Sequence, residues 1–297
     1  MKINSTSTVG KAPRNSRLRA AARLIGSNKE SMFGAGIVLI FAGTAIVVFL
    51  GNLLNIQVVP YSPIQQNVGP FLAPPSLQHI FGTDNLGRDL FSRIVFATPN
   101  DVAVGYVVVG SALVIGAILG GFAGVRGGLV DELLMRLTDV FFALPVLVLA
   151  MVIALLLGSG VTNMMIVLAI VWWPPYARLA RGEALKVAHQ NYIEAAKLSG
   201  LSYRALLFRH VLPNITGTML VYATLDIGTV ILTYSGLAYV GLAVKYPYPD
   251  WGLMVSDYNQ YVLSAPWLPL FPGLIISLGV IGFSLLGDGI KETLEKR

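Results

Sequence analysis

Long uncharged apolar stretches alternate with short charged ones along this chain. The stretch between Glu30 and Asp84 holds no Asp, Glu, Lys or Arg, and the stretches 102–125, 140–177 and 258–287 are equally free of charge. The stretch 210–244 contains a single acid, Asp226. A helix needs about 20 apolar residues to cross roughly 30 Å of hydrocarbon. The pattern therefore predicts membrane-spanning helices.

Six predicted spans account for the pattern, at 32–54, 102–124, 137–157, 163–180, 216–240 and 267–287. The third and fourth are separated by Gly158-Ser159-Gly160, a short polar break that indicates a tight turn. The composition agrees, because 12% charged residues is half of the roughly 25% usual in soluble proteins. We expect an all-α polytopic membrane protein with six transmembrane helices.

Positive charge predicts the orientation of these spans. Of the 21 Lys and Arg residues, 18 lie in the tails and in the loops on the same side as the tails; only Arg88, Arg93 and Lys245 lie opposite. Cytoplasmic segments carry the excess of Lys and Arg, so the tails 1–31 and 288–297 are predicted to be cytoplasmic and 55–101 extracytoplasmic. The same bias explains the net charge of +6 without a nucleic-acid partner.

The first apolar run has a competing interpretation as a cleaved signal peptide. The run Met32 to Leu54 is long and lacks a small-residue cleavage site soon after its start, which favours a retained first helix. The chain has no cysteine, which excludes disulfides and thiolate chemistry.

The loop 181–214, between predicted spans four and five, is much longer than a hairpin needs. Its sequence favours one helix from Glu183 to Ser199, followed by Gly200 in a left-handed conformation that only Gly adopts at low cost. Ser202 is placed to cap a second helix, which Pro213 should end before the fifth span. The result is a helix–turn–helix elbow suited to binding a partner.

This elbow carries a resemblance to a known family. Glu194-Ala195-Ala196, Gly200 and the run His210-x-Leu212-Pro213 resemble the EAA loop of permease subunits of binding-protein-dependent ABC importers. Further segments resemble the C-type permease of oligopeptide, dipeptide and nickel importers: FGTDNLGRDLFSRI (81–94), GGLVDELLMRLTDVFFALP (127–145), WWPPYARLARGE (172–183), and GLAYVGLA with PDWG (236–252).

The resemblance implies a type I ABC permease fold with a core domain over 102–287. It also implies that the coupling loop 181–214 docks an ATPase subunit through Glu194, Ala195, Ala196, Gly200, Leu212 and Pro213. The implied partners are a homologous second permease, two ATPase subunits that bind ATP and Mg, an extracytoplasmic solute-binding protein and membrane lipid. The implied location is the prokaryotic inner membrane.

The implied activity is ATP-driven import, with peptides as the favoured solute and oligosaccharides or nickel chelates as alternatives. We expect no catalytic residue and no cofactor in this chain, since the sequence lacks the GxxxxGK[ST] phosphate loop and ATP hydrolysis would belong to partner chains. His79, His189 and His210 are scattered, which argues against a metal site. A secondary transporter is the alternative from another class, but only Asp226 would serve as its intramembrane acid.

Two further groups have two interpretations each, and a third has one. Asp226 lies mid-span, where a carboxylate is costly unless it faces protein or water, so it either contacts the solute or bonds within the helix bundle. Asp84, Arg88 and Asp89 either form a turn with a capped helix or contact the binding protein. The pair Trp172-Trp173 is interpreted as an anchor at the membrane interface.

Overall fold

The structure is a computed structural model that describes residues 29–295, with side chains described through Glu292. Most of the predicted N-terminal tail and the last two residues of the chain lie outside the described residues. Within this range the regular structure is helical, apart from a single bridge between Thr83 and Asp89. An all-α fold is therefore confirmed for the described part of the chain.

Ten helices and two short helical turns follow one another between residues 29 and 295. They are α1 (Lys29–Leu54), α2 (Leu90–Arg126), α3 (Gly128–Phe142), α4 (Val146–Leu157), α5 (Val161–Ala188), α6 (Asn191–Leu198), α7 (Tyr203–Leu206), a π turn (Leu207–Val211), α8 (Leu212–Tyr239), α9 (Trp251–Tyr258), a 3-10 turn (Asn259–Tyr261) and α10 (Trp267–Glu295).

Four described helical segments are long and apolar enough to cross a membrane: α1, α2, α7 continued through α8, and α10. The pair α3 and α4 would make a fifth crossing if it is one broken span. The helix α5 contains the predicted fourth span but carries Trp172-Trp173 and Pro174-Pro175 and does not reach the same apolarity. The count of six spans therefore stays a prediction.

The predicted third span, 137–157, is wrong as a single helix. The chain bends by 89° between α3 and α4. Pro145 lies at the bend with φ −58° and ψ 130°, outside helical geometry. Proline has no N–H to continue the ladder, and it pushes the preceding residue, here Leu144, out of the helical region. The sequence therefore ends one helix at Phe142 and starts another at Val146.

The predicted turn at Gly158-Ser159-Gly160 is confirmed. Gly158 has φ 80° and Gly160 has φ 146°, both in the region that favours glycine. This turn joins the short α4 to α5, which continues as a helix through both prolines to Ala188.

The centre of the fold is a close crossing of α2 over α5. A Cβ added at Gly120 would lie 1.9 Å from the carbonyl oxygen of Ala177, and one at Gly116 would lie 2.3 Å from Cβ of Tyr176. Gly124, one turn further along, meets Cβ of Ala184 at 2.9 Å. Glycine at every fourth position lets the two backbones approach closely, as in membrane helix pairs that use small residues.

Much of the remaining helix surface is apolar and exposed in the single chain. Leu39 is 70% exposed, and Leu156 is 83% exposed. A soluble monomer rarely presents such wide apolar faces. The surface agrees with a chain whose neighbours are lipid and other apolar protein.

Candidate functional site

The elbow after α5 forms largely as predicted. Gly200 has φ +81°, the expected left-handed conformation, and Ser202 Oγ accepts a hydrogen bond from the Ala205 N–H at 3.3 Å. A Cβ added at Gly200 would meet no atom within 4 Å. The backbone conformation, and not the available space, is therefore what calls for glycine here.

Two details of the elbow differ from the prediction. The helix predicted from Glu183 to Ser199 is interrupted after Ala188, and α6 starts afresh at Asn191. Pro213 does not end the second helix. It lies at the start of α8 as labelled, and the π turn before it, whose wider hydrogen-bond spacing accommodates a residue without an N–H, leads the chain into that helix without a break.

The short helix α6 is held to the chain by one side and presents the other. Ile193 is fully buried, while Glu194 and Ala195 are exposed and Ala196 is half-buried. Leu198 is 90% exposed. An exposed leucine beside small side chains on a firmly anchored helix is a surface suited to packing against another protein.

The two halves of the elbow are tied together. Asn214 Nδ2 donates to the hydroxyl of Tyr192 at 3.2 Å, and the rings of Tyr192 and His210 lie 6.1 Å apart. The remaining predicted coupling residues lie at this junction with α8, Leu212 half-buried and Pro213 exposed. The α6 helix is thus linked directly to the start of α8.

The second group, Asp84, Arg88 and Asp89, forms a buried network next to α2. Asp84 Oδ2 accepts from Arg88 Nε at 2.6 Å and from the Tyr258 hydroxyl at 2.9 Å. Asp84 Oδ1 accepts from the backbone N–H groups of Leu86 and Arg88, both at 2.9 Å. Burial and the adjacent Asp84 carboxylate raise the pKa of Tyr258, despite the opposing field of nearby arginines.

Asp89 caps α2. Its Oδ2 accepts from the N–H and the hydroxyl of Ser92 at 2.8 and 2.7 Å, and its Oδ1 lies 2.9 Å from His79 Nδ1. At most 2% of Asp84, Arg88 or Asp89 is exposed. This burial supports the interpretation as a turn with a capped helix. Contact with a binding protein stays a prediction. In this structure the three side chains expose almost no surface through which to make such a contact.

Asp226, the third group, forms hydrogen bonds with α5 and also lines a cavity. Its Oδ2 accepts from Trp172 Nε1 at 2.5 Å and from the Tyr176 hydroxyl at 3.0 Å. The two donors are four residues apart and therefore lie on one face of α5. Trp172 is only 7% exposed, so the interpretation of Trp172 as an interface anchor is wrong.

The cavity beside Asp226 has a volume of about 390 Å³ and lies between the bend of α3–α4, α5 and α8. Its walls are aromatic, proline and aliphatic side chains together with Thr229 and Asp226; the first set is Phe141, Phe142, Leu144, Val146, Val171, Trp172, Pro174, Pro175 and Tyr222. The sequence contains no pattern that predicts the contacts of Asp226 with Trp172 and Tyr176, except the four-residue spacing of those two donors.

Ion pairs connect α3 to α5 near the basic end of the bundle. Arg181 pairs with Asp131 through two nitrogens, and Arg178 pairs with Asp139. Glu132 and Arg136 form an exposed pair within α3 at 3.8 Å. The described residues contain no group of three or more His, Asp or Glu placed to hold a metal ion.

The described residues form an all-helical fold in which several helices are long and apolar enough to cross a membrane, as in an integral membrane protein. The sequence profile of the family described as "Binding-protein-dependent transport system inner membrane component" matches residues 112–297. The chain belongs to this family.

Among curated relatives, the dipeptide transport system permease protein DppC of Alkalihalophilus pseudofirmus is 37% identical over 279 residues, covering 94% of this chain and 90% of the relative. The probable D,D-dipeptide transport system permease protein DdpC of Escherichia coli (strain K12) is 40% identical over 257 residues, 86% of each chain. The glutathione transport system permease protein GsiD of Escherichia coli O6:K15:H31 is 41% identical over 223 residues, 75% of this chain and 74% of the relative. The chain therefore belongs to the same permease family as these proteins.

Proposed function

We propose that this chain forms half of the translocation pathway of an ATP-driven importer of peptides and docks an ATPase subunit through α6. The observation that carries the proposal is the elbow, since α6 is anchored by buried Ile193 and leaves Glu194, Ala195 and Leu198 exposed. A helix that the chain holds firmly but covers on one side only is a docking element for another protein.

The other subunits of the proposed importer are a homologous second permease, two ATPase subunits that bind ATP and Mg, and an extracytoplasmic solute-binding protein. Family membership and the exposed apolar helix faces support this assembly. In this proposal the chain itself carries out no covalent chemistry.

Peptides are the proposed solute because the relatives are named for dipeptides, D,D-dipeptides and glutathione. Oligosaccharides and nickel chelates are the alternatives with the same architecture. A secondary transporter, the alternative from another class, would not co-purify with an ATPase.

Gly200 provides the test of docking. Gly200→Val places a β-branched residue in a left-handed conformation, at a strain of about 1–2 kcal/mol. Gly200→Asn is the matched control, because Asn adopts this conformation far more readily. Each variant would be co-expressed with its ATPase and permease partners, purified and reconstituted in liposomes with the binding protein.

We expect Gly200→Val to lose ATPase co-purification or solute-stimulated ATP hydrolysis, whereas Gly200→Asn keeps both. Since neither added Cβ meets an atom of this chain, a loss confined to Val reports on the docking geometry. Normal transport by Gly200→Val would contradict the assignment of α6 as the coupling helix.

We further propose that the tails and the loop 181–214 face the cytoplasm. The chain has no cysteine, so single introduced cysteines can be labelled without background. Gln190→Cys, in the exposed break before α6, should resist an impermeant thiol reagent added to intact cells. Gln66→Cys, exposed in the segment before α2, should react and serves as the control. The opposite pattern would reverse the orientation.

A further inference from the structure

The carboxylate of Asp226 has two oxygens in different surroundings. Oδ2 is occupied by the two donors on α5, Trp172 Nε1 and the Tyr176 hydroxyl. Oδ1 accepts no hydrogen bond from the described part of the chain and is not among its fully buried side-chain atoms without a partner. One oxygen thus fixes the side chain in place, and the other remains available for a hydrogen bond in a residue that lines the cavity.

The walls of this cavity favour a particular chemistry. Asp226 is the one charged residue among the described lining side chains, which include the rings of Phe141, Phe142, Trp172 and Tyr222. The Phe142 ring already carries the Arg178 guanidinium, 4.1 Å from its centroid, which leaves three rings for a ligand. A cation is attracted both to a carboxylate and to the faces of aromatic rings. An anion would meet the carboxylate without any basic side chain in the lining to compensate.

The position of Asp226 is set in advance. Trp172 and Tyr176 hold Oδ2 from α5, and Tyr176 itself is fixed against Gly116 at the close crossing with α2. A carboxylate held in this way loses little conformational freedom when a donor binds to its second oxygen. The volume of about 390 Å³ is within the usual range for small-ligand pockets.

We propose that Asp226 Oδ1 accepts a hydrogen bond from a protonated primary amine of the transported solute, so that the cavity recognises solutes with a free ammonium group. The proposal rests on the proposed function, because it assigns the solute-recognition chemistry of the same pathway. It also separates the alternative solutes, since a neutral oligosaccharide carries no ammonium group and a peptide with a free N-terminus does.

The test compares a short peptide that has a free N-terminus with its N-acetylated form. Binding of each labelled peptide would be measured at neutral pH to the purified transporter of two permeases and two ATPases, without the binding protein. We expect wild type to prefer the free amine by about 10- to 100-fold, the range for one charge-assisted hydrogen bond. This comparison needs no variant.

Two variants then locate the preference. Asp226→Asn keeps a carbonyl oxygen for Trp172 and Tyr176 but removes the charge, and it should lose the preference while its thermal unfolding stays close to wild type. Thr229→Ser, in the same cavity wall, should retain the preference. A wild type without preference, or Asp226→Asn with undiminished preference, would overturn the proposal.

Failure of the proposed function looks different. Transport of the free peptide by the complete system with its binding protein would be measured in parallel in proteoliposomes. If peptides are transported and the free amine gives no advantage in binding, the ammonium site alone is wrong. If the complete system transports no peptide, the proposed solute class and the ammonium site both fail.

Discussion

Gly120→Ala is the substitution whose effect the structure determines most directly. The added Cβ would lie 1.9 Å from the carbonyl oxygen of Ala177 and 2.7 Å from its carbonyl carbon, whereas ordinary contact begins at 3.4 Å. The obstacle is backbone, so no side-chain rotation relieves it. The two helices α2 and α5 must separate by up to about 1.5 Å along this direction, the difference between those distances.

The separation of α2 from α5 lowers the free energy of unfolding by an amount that can be bounded. A gap of only 0.5–1 Å already forfeits about a quarter to a half of a van der Waals contact. Overpacked sites lose about 1–3 kcal/mol, and we expect Gly120→Ala at the upper end because its contact is with backbone. Gly110→Ala is the matched control on the same helix, since a Cβ there meets nothing within 4 Å. It should be neutral or stabilising by up to about 1 kcal/mol.

Thermal unfolding of both variants in the same detergent measures the difference. Gly120→Ala should melt below wild type, and Gly110→Ala at or above it. The crossing also positions Tyr176, the residue before Ala177, so Gly120→Ala should weaken solute binding near Asp226 as well. If the two alanine variants had equal melting temperatures, the close crossing of α2 and α5 would not exist as described.

Two further predictions concern buried acids outside the spans. Asp84→Asn leaves Arg88 buried without its ion-pair partner and should lower the free energy of unfolding by about 3–5 kcal/mol, measured by thermal unfolding. The control Glu132→Gln, in an exposed pair, should lower it by less than about 0.5 kcal/mol, and equal effects would contradict the prediction. Burial raises the pKa of Asp250, so the folded state retains a proton that the unfolded state releases, and stability falls as pH rises above about 4. Asp250→Asn keeps an acceptor for the Leu253 N–H and should flatten the fall in melting temperature as pH rises above about 4; an unchanged slope would refute the assignment.

Local chemistry was enough to predict several parts of the fold. The left-handed Gly200 and the cap at Ser202 each depend on a few neighbouring residues, so the sequence specifies them directly. The turn at 158–160 follows from the same glycine preference.

Other features depend on contacts that no short pattern contains. Asp226 is 54 residues from Trp172 and 50 from Tyr176, so their hydrogen bonds required the packing of α5 on α8. The bend at Pro145 did have a local signal, the proline itself, but the apolar run continues on both sides of it and predicts one span. Hydropathy alone does not distinguish a straight helix from a broken one.

The two prolines within α5 have a mechanical consequence. A helix of 28 residues is about 42 Å long, and α5 extends from the glycine turn before it to the two-residue break before α6. Pro174 and Pro175 each remove a backbone hydrogen bond, so the rod is most compliant between its two Asp226 donors. A force applied at α6 would therefore flex α5 most easily near these prolines, where a change in the spacing of Trp172 and Tyr176 would alter how the carboxylate is held.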